Sequence, residues 1–553
     1  MADLNIVVFE LKNIQKLNFA DISAVDLNTN NIIPVDDVLS FSQTGRAIHR
    51  HWAQRIPAAR LLANDLQFND GTPGYLSSVG DAVGGTVKLN LQKDIIFTPD
   101  RTFTGVMSFK YQVKSATGDP AISVVDLSSG ESALMRATVT LLTPDIPQDP
   151  LVAKQTYLNK INLIPVWSDY TGKGVRIGQF EPGGQFATGP EIFDIQHPDL
   201  AANVDPSWLE TQKSAGTLPA DVSNHATMVA GVMVAARNNI GGVGVAYDAT
   251  LGGHYLSNDG ADFTTLGKMS SYDVVNHSWG FKHDFALSNL SGSSVNLPNI
   301  LNSTLQYAAE NGRGGLGTIM VSAGGNQREQ GGSAQGSLIN NSRFGIQVAA
   351  VNALSDLSTL QTRSAPFSNS GASLLVSAPG SQVLSSSNQL ETERGAVFGA
   401  QYSTEQGTSF AAPIVSGIAA LMLQANPNLG YRDVQQILAL SARRVDDSGT
   451  QWRNNNAKNW NGGGMHVSHD YGFGAVDARA ALRLAETWIP QQTGANQQVL
   501  ENSYEYLHWG QLSAGETDSS YLTLGDSLNV EQVEVDFSAN VGCLGDLTVR
   551  LVS

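Results

Sequence analysis

Ser409 stands in Gly407-Thr408-Ser409-Phe410-Ala411-Ala412-Pro413, among residues too small to hide a hydroxyl. Behind it, Ile414, Val415, Ile418, Ala419, Leu421 and Met422 recur at helical spacing until about Gln424. A hydroxyl at the start of a helix sits among unpaired N–H groups at the positive end of the dipole. Negative charge on a substrate oxygen is stabilised there. A plain helix cap has the same look. A nucleophile also needs a base and an oxyanion donor.

Of the ten histidines, His225 has the fitting surroundings. It opens His225-Ala226-Thr227-Met228-Val229-Ala230-Gly231, small residues at a second predicted helix start. Ala226, Ala230 and Gly231 allow close packing on a neighbour. Asn326 ends the apolar run Val321-Ser322-Ala323-Gly324-Gly325-Asn326. A strand-end asparagine is often a turn residue. Its place between His225 and Ser409 predicts an oxyanion donor, whose removal would raise the barrier by about 3–4 kcal/mol.

The elements that must position these residues alternate between strand and helix. Val175–Phe180, Thr250–Tyr255, Tyr272–Ser278, Gly317–Ser322 and Ile346–Val351 read as buried strands. His225–Arg237, Ile300–Asn311, Ser409–Gln424, Tyr431–Ser441 and Asp477–Trp488 read as helices. That pattern predicts an α/β domain with a parallel sheet. Ahead of it, Thr86–Leu91, Asp94–Thr98, Gly105–Val113 and Ala137–Leu142 read as short strands of a β-sandwich. The proline-rich stretch Pro144–Pro150 separates the two. Val530–Phe537 and Asp546–Val552 read as strands of a third, partial domain.

Together these segments resemble the subtilisin-like serine proteases. The order acid, histidine, serine is that of this family. Asn238–Tyr247, Ser278-Trp279-Gly280, Val467–Gly474, Asp477-Ala478 and Ala485–Trp488 resemble its kexin and furin branch. The resemblance covers about 149–488. Residues 30–145 resemble the cadherin-like repeats of bacterial proteins, through Pro34–Asp37, Leu61–Asp65 and Phe97–Asp100 among others. Gly545–Ser553 resembles part of the β-sandwich that follows the protease in convertases. The implied fold is a subtilisin-like parallel sheet with helices on both faces. A cadherin-like sandwich (1–146) and a partial convertase-type β domain (489–553) would flank the peptidase domain (149–488).

The resemblance implies a secreted serine endopeptidase with His225 as base, Ser409 as nucleophile and Asn326 as oxyanion donor. After the matching strand Gly172–Phe180 the family has an aspartate; this chain has Glu181-Pro182-Gly183. Glu181 can hold and orient the imidazole. Asp194, just before His197–Leu200, is a second candidate. If neither serves, the alternative is a weak or inactive protease fold used as an adhesion or scaffold module. Asp149, Asp199 and Asn239 fall where the family places oxygen ligands of a calcium ion, a ligand type that suits Ca²⁺. Ser278, Trp279, Gly280, Ala323 and Gly324 would line the substrate groove. The acids behind a dibasic preference are missing: Phe281-Lys282-His283 and Ser337 stand in their places, and Gly332 and Asn369 replace ligands of a second calcium. A specificity that is not strictly dibasic follows.

The net charge of −17 over 553 residues argues against nucleic acid as a partner. The expected partners are protein or peptide substrates, and a propeptide or other part of a larger precursor. Cys543 is the single cysteine, so no internal disulfide can form, which fits a bacterial exported protein or a cytosolic one. No stretch is expected to span a membrane. Residues 1–20 lack the features of a signal peptide.

Overall fold

The computed structural model describes most of residues 53–114, short strands on either side of them, and nearly all of 147–501. The gaps in 147–501 are 184–188, 258–262, 281–296, 338, 353–365, 390–399, 446–451 and 455–464; residues 530–535 are also described. The chain divides into two compact units, Met1–Ile146 with Trp167–Asp169, and Pro147–Val166 with Tyr170–Ser553.

The first unit is a β-sandwich. In one sheet Met107–Lys114 lies between Ala137–Leu141 and Tyr75–Val83, antiparallel to both, and Asp37–Leu39 runs parallel to Ala137–Leu141. In the other, Ile95–Pro99 lies between Gln54–Ile56 and Gly85–Leu89. Alternating apolar residues fill the space between, with Phe97 stacked on Phe109 at 5.8 Å. Such alternation is what a two-sheet core requires.

The second unit is built on six parallel strands: β1 (Arg176–Pro182), β2 (Thr250–Leu256), β3 (Val274–His277), β4 (Ile319–Ala323), β5 (Gly345–Asn352) and β6 (Leu374–Ser381). Their spatial order is β2-β1-β3-β4-β5-β6. Every residue of β3 and β4 is buried. Successive strand residues point to opposite faces, so both faces are covered. The longer helices are α1 (Pro206–Ala215), α2 (Asn224–Val234), α3 (Leu297–Asn311), α4 (Thr408–Ala425), α5 (Tyr431–Ser441) and α6 (Ala478–Thr487). Chain order reverses around β1, and in open parallel sheets sites form beyond the carboxyl ends of the strands at such a switch point.

Helix α4 crosses β3 to β6 and α2. From Thr408 to Leu423 every one of its residues is buried except Ser409. Its length and composition alone would satisfy a membrane span; here its apolar surface is mostly buried in the core. Two glycines set the close approaches of these helices. A Cβ at Gly417 would lie 2.5 Å from Cβ of Val245, and one at Gly231 would lie 2.8 Å from Cβ of Ser386.

Two expectations change. The sixth strand β6 was not foreseen. Of the third-domain strands, Val530–Val535 carry no strand, and Asp546–Val552 lie outside the described residues. Gly417→Ala is expected to destabilise the second unit by about 1–3 kcal/mol through overpacking, read as a lower denaturant midpoint at unchanged slope.

Candidate active site

Glu181 lies near the carboxyl end of β1 and is buried. Its Oε2 is 3.2 Å from Nδ1 of His225. Its Oε1 is also buried and has no hydrogen-bond partner among the described residues. His225 sits in the first turn of α2, which Ser223 caps by accepting the N–H of Ala226 at 3.2 Å. Burial pulls the imidazole toward the neutral form. The charge and hydrogen bond of Glu181, with the more distant Glu405, outweigh that and raise its pKa. His254 and His277 contrast with it: burial drives both to about 3, so they stay neutral. Asp194 accepts the N–H of Gln196 in its own turn, so the structure brings Glu181 to His225 and leaves Asp194 to local bonding.

The ring of His225 lies 5.8 Å from that of Phe410, the residue after Ser409. The Ser409 hydroxyl is not turned to His225; it donates to the carbonyl of Ser278 at 3.1 Å. Catalytic hydrogen bonds are often loose before substrate binds. Asn326 follows β4. Its Oδ1 accepts both the N–H and the hydroxyl of Thr408, at 2.8 and 2.9 Å, which holds the amide in one orientation. That leaves Nδ2 as the free donor. A Cβ at Gly407 would lie 3.4 Å from Asn326 Nδ2 and 3.7 Å from the Ser409 backbone nitrogen. The two nitrogens therefore flank one open point, the layout of an oxyanion hole. Gly407 has φ +147°, where side chains are strained, so glycine keeps that point clear. The Ser409 N–H was not singled out from the sequence; a nucleophile in the first helical turn carries an orphan donor and could have signalled it.

The subtilase family pattern matches residues 191–474, about half of the chain, and a bacterial Ig domain pattern matches residues 31–128. The chain belongs to the subtilase family. Human proprotein convertase subtilisin/kexin type 4 is 28% identical over 429 residues, covering 74% of this chain and 52% of that protein. Furin-1 of Xenopus laevis is 29% identical, covering 74% and 50%. The chain spans about half the length of these curated relatives. The crystal structure of the Aeromonas sobria serine protease aligns with a TM-score of 0.49 at 23% identity, covering 65% of this chain and 69% of that one. The matched segment of this subtilase holds His225, Asn326 and Ser409 but begins after Glu181. At 31–128 the match is to a bacterial Ig domain, a coarser description than the cadherin-like one.

The expected groove residues of this subtilase lie along the ends of β3 and β4. The Asn340 side-chain amide donates to the carbonyls of Trp279 and Ala323, at 2.8 and 2.9 Å, and ties the two edges together. Sequence reasoning missed Asn340, which carries no local motif. Gly324 packs against the carbonyl of Val348, where a Cβ would come within 2.9 Å. A Cβ at Gly280 would be 3.6 Å from both Asn340 Nδ2 and Ser337 Oγ. The Ser337 hydroxyl and the Asn340 Oδ1 are buried without partners among the described residues, and both are polar and uncharged. Phe281-Lys282-His283 lie outside the described residues. Asn369 accepts the N–H of Gln327, and Arg328 pairs with Asp470 at 2.6 Å, so the loop after Asn326 is fastened by side chains.

Asp149 Oδ1 accepts the N–H groups of Asn238 and Asn239, at 2.9 and 2.8 Å. Asp199 Oδ2 accepts that of Gly242. One oxygen of each carboxylate, Oδ2 of Asp149 and Oδ1 of Asp199, is buried without a hydrogen-bond partner among the described residues. Burial raises the pKa of Asp199 despite the Gly242 N–H and its polar neighbours Tyr402 and Asn238. Orphaned buried carboxylate oxygens fit a hard cation. Among the described residues no group of three or more His, Cys, Asp or Glu is present, so carbonyl or amide oxygens would complete the shell. Asn239 is exposed and contributes its backbone to the loop, at φ +64°.

Glu181→Gln removes the charge that favours the His225 imidazolium. The imidazole is then expected to titrate at lower pH in an NMR titration, and the acid limb of kcat/KM to move with it. The plateau should fall by about 10⁴-fold, the scale for an acid that sets tautomer and charge.

Proposed function

We propose that this subtilase is a calcium-stabilised serine endopeptidase that acts outside the cell, with Glu181, His225 and Ser409 as its triad. The observation that carries the reading is the 3.2 Å contact of Glu181 Oε2 with His225 Nδ1 beside the helix of Ser409. In the reaction the Ser409 hydroxyl swings off the Ser278 carbonyl and gives its proton to His225 Nε2 as Oγ attacks the peptide carbonyl. The oxyanion accepts hydrogen bonds from Asn326 Nδ2 and the Ser409 N–H. His225 then protonates the leaving amine, and water hydrolyses the acyl-enzyme by the same steps. Glu181 accepts a hydrogen bond from Nδ1–H, stays ionised and stabilises the imidazolium. Extracellular action rests on the kinship with convertases, and the N-terminal sandwich would serve as a cadherin-like spacer.

The polar, uncharged pair Ser337 and Asn340 supports a preference for uncharged side chains before the scissile bond. A bound Ca²⁺ would neutralise Asp149 and Asp199 and fasten their loops. Glu181 in place of the family's aspartate keeps the competing reading, an inactive adhesion or scaffold module, in view, and the resting direction of the Ser409 hydroxyl adds to it.

A fluorophosphonate probe separates the two: it is expected to label Ser409, with labelling lost in Ser409→Ala. Folded, calcium-loaded protein that takes no label is a scaffold. Asn326→Ala is expected to lower kcat by about 10²–10³-fold. Peptide-mixture profiling is expected to give cuts after uncharged residues; cleavage confined to paired basic residues would refute the neutral pocket. Chelation is expected to lower the thermal midpoint, and added Ca²⁺ to restore it.

A further inference from the structure

Pro413 lies inside α4, four residues after Ser409. In an α-helix the carbonyl of Ser409 would accept the N–H of residue 413, and proline has none. The nucleophile therefore lacks the ordinary helical donor to its own carbonyl. The hydroxyl of Ser278, at the end of β3, donates to that carbonyl at 2.8 Å.

Ser278 is itself held. The Asn276 side-chain amide donates to the Ser278 hydroxyl at 2.9 Å. The hydroxyl of Ser416, two turns into α4, donates to Oδ1 of Asn276 at 2.9 Å. Asn276, Ser278 and Ser416 are all buried. The donors run in one direction, Ser416 to Asn276 to Ser278 to the Ser409 carbonyl, and close a loop between β3 and α4. Buried chains of this kind are strong when every member is satisfied, and costly when one is lost.

We infer that Ser278 is a positioning residue for the nucleophile: its hydroxyl replaces the helical donor that Pro413 omits, and Asn276 and Ser416 aim it. The inference rests on the reading of Ser409 as nucleophile. It concerns the Ser278 side chain, separate from any contact its backbone makes with substrate. The loop fixes the first turn of α4 against the strand that ends at the groove, and small displacements of a reacting atom lower rates steeply.

The test is a rescue. Ser278→Ala should label with a fluorophosphonate about ten-fold more slowly than the unmodified protein, with folding checked by circular dichroism. Pro413→Ala returns an N–H to the Ser409 carbonyl, so Ser278→Ala/Pro413→Ala should recover most of that loss. A general packing defect would not be repaired from the helix. Labelling of Ser278→Ala at the unmodified rate overturns the inference, and so does a double variant as slow as the single one. If the double variant does not fold, Ser416→Ala carries the test, with a two- to three-fold loss expected and an unchanged rate contradicting the relay. The thermal midpoint gives a second readout: it should fall in Ser278→Ala, and Pro413→Ala should raise it more in that background than in the unmodified protein, even if Ser409 takes no label. Failure of the unmodified protein to label would count against the peptidase reading alone; absence of the midpoint rescue would count against the relay alone.

Discussion

The burial of helix α4 is the constraint on which the rest depends. A helix that hides fifteen of its first sixteen residues has one register in which it can lie. In that register Ser409 is the residue left at the surface, at the end where the strands present their loops. The sheet supplies the other members from separate strand ends: Glu181 from β1, Ser278 after β3 and Asn326 after β4. None of these meets another through local sequence. They meet because parallel strands begin on one side and finish on the other.

Much of this was legible because the core is periodic. Five of the six strands of the parallel sheet appear as apolar runs, and α2 to α6 appear as apolar repeats with small residues where packing is tight. The misses have physical reasons too. Helix α1 has a weak apolar stripe, and its signals lie in its ends: Asp205 caps it, Pro206 opens it and Gly216 closes it with a positive φ. Strand β6 ends in Ser377-Ala378-Pro379-Gly380-Ser381, a composition that reads as a turn, yet it is buried at the edge of the sheet. The hairpin Val383–Gln389 with Ala400–Glu405 is serine-rich, and two of its buried hydroxyls find partners on α2, Ser385 on the carbonyl of Met228 and Ser387 on the side chain of Asn224.

The site was legible to the level of residue type and order. His225, Asn326 and Ser409 stand in motifs whose small neighbours reveal them. Orientation was not, because it is set by long-range bonds: Thr408 to Asn326, Asn340 across the groove, and Ser278 across to Ser409. The replacement of an aspartate by Glu181 is the reverse case. Sequence raised it as the weak point of the triad, and geometry is what brings its longer side chain within reach of His225. Its Oε1 meets no donor among the described residues, where a carboxylate in this role would gain from one.

His254 and His277 are held neutral inside the fold, at about 3 against the usual 6.5. Below about pH 6.5 the unfolded chain binds protons at these positions that the folded chain refuses. Stability must then decline as the pH falls through that range, down to about 3. His225 runs the other way, since its raised pKa favours the folded state in acid, and offsets part of the decline. The second unit thus carries an acid-sensitive pair in its core, at two buried rings that the proposed triad does not use. In acid these two rings weigh against the fold itself, apart from any effect on the site.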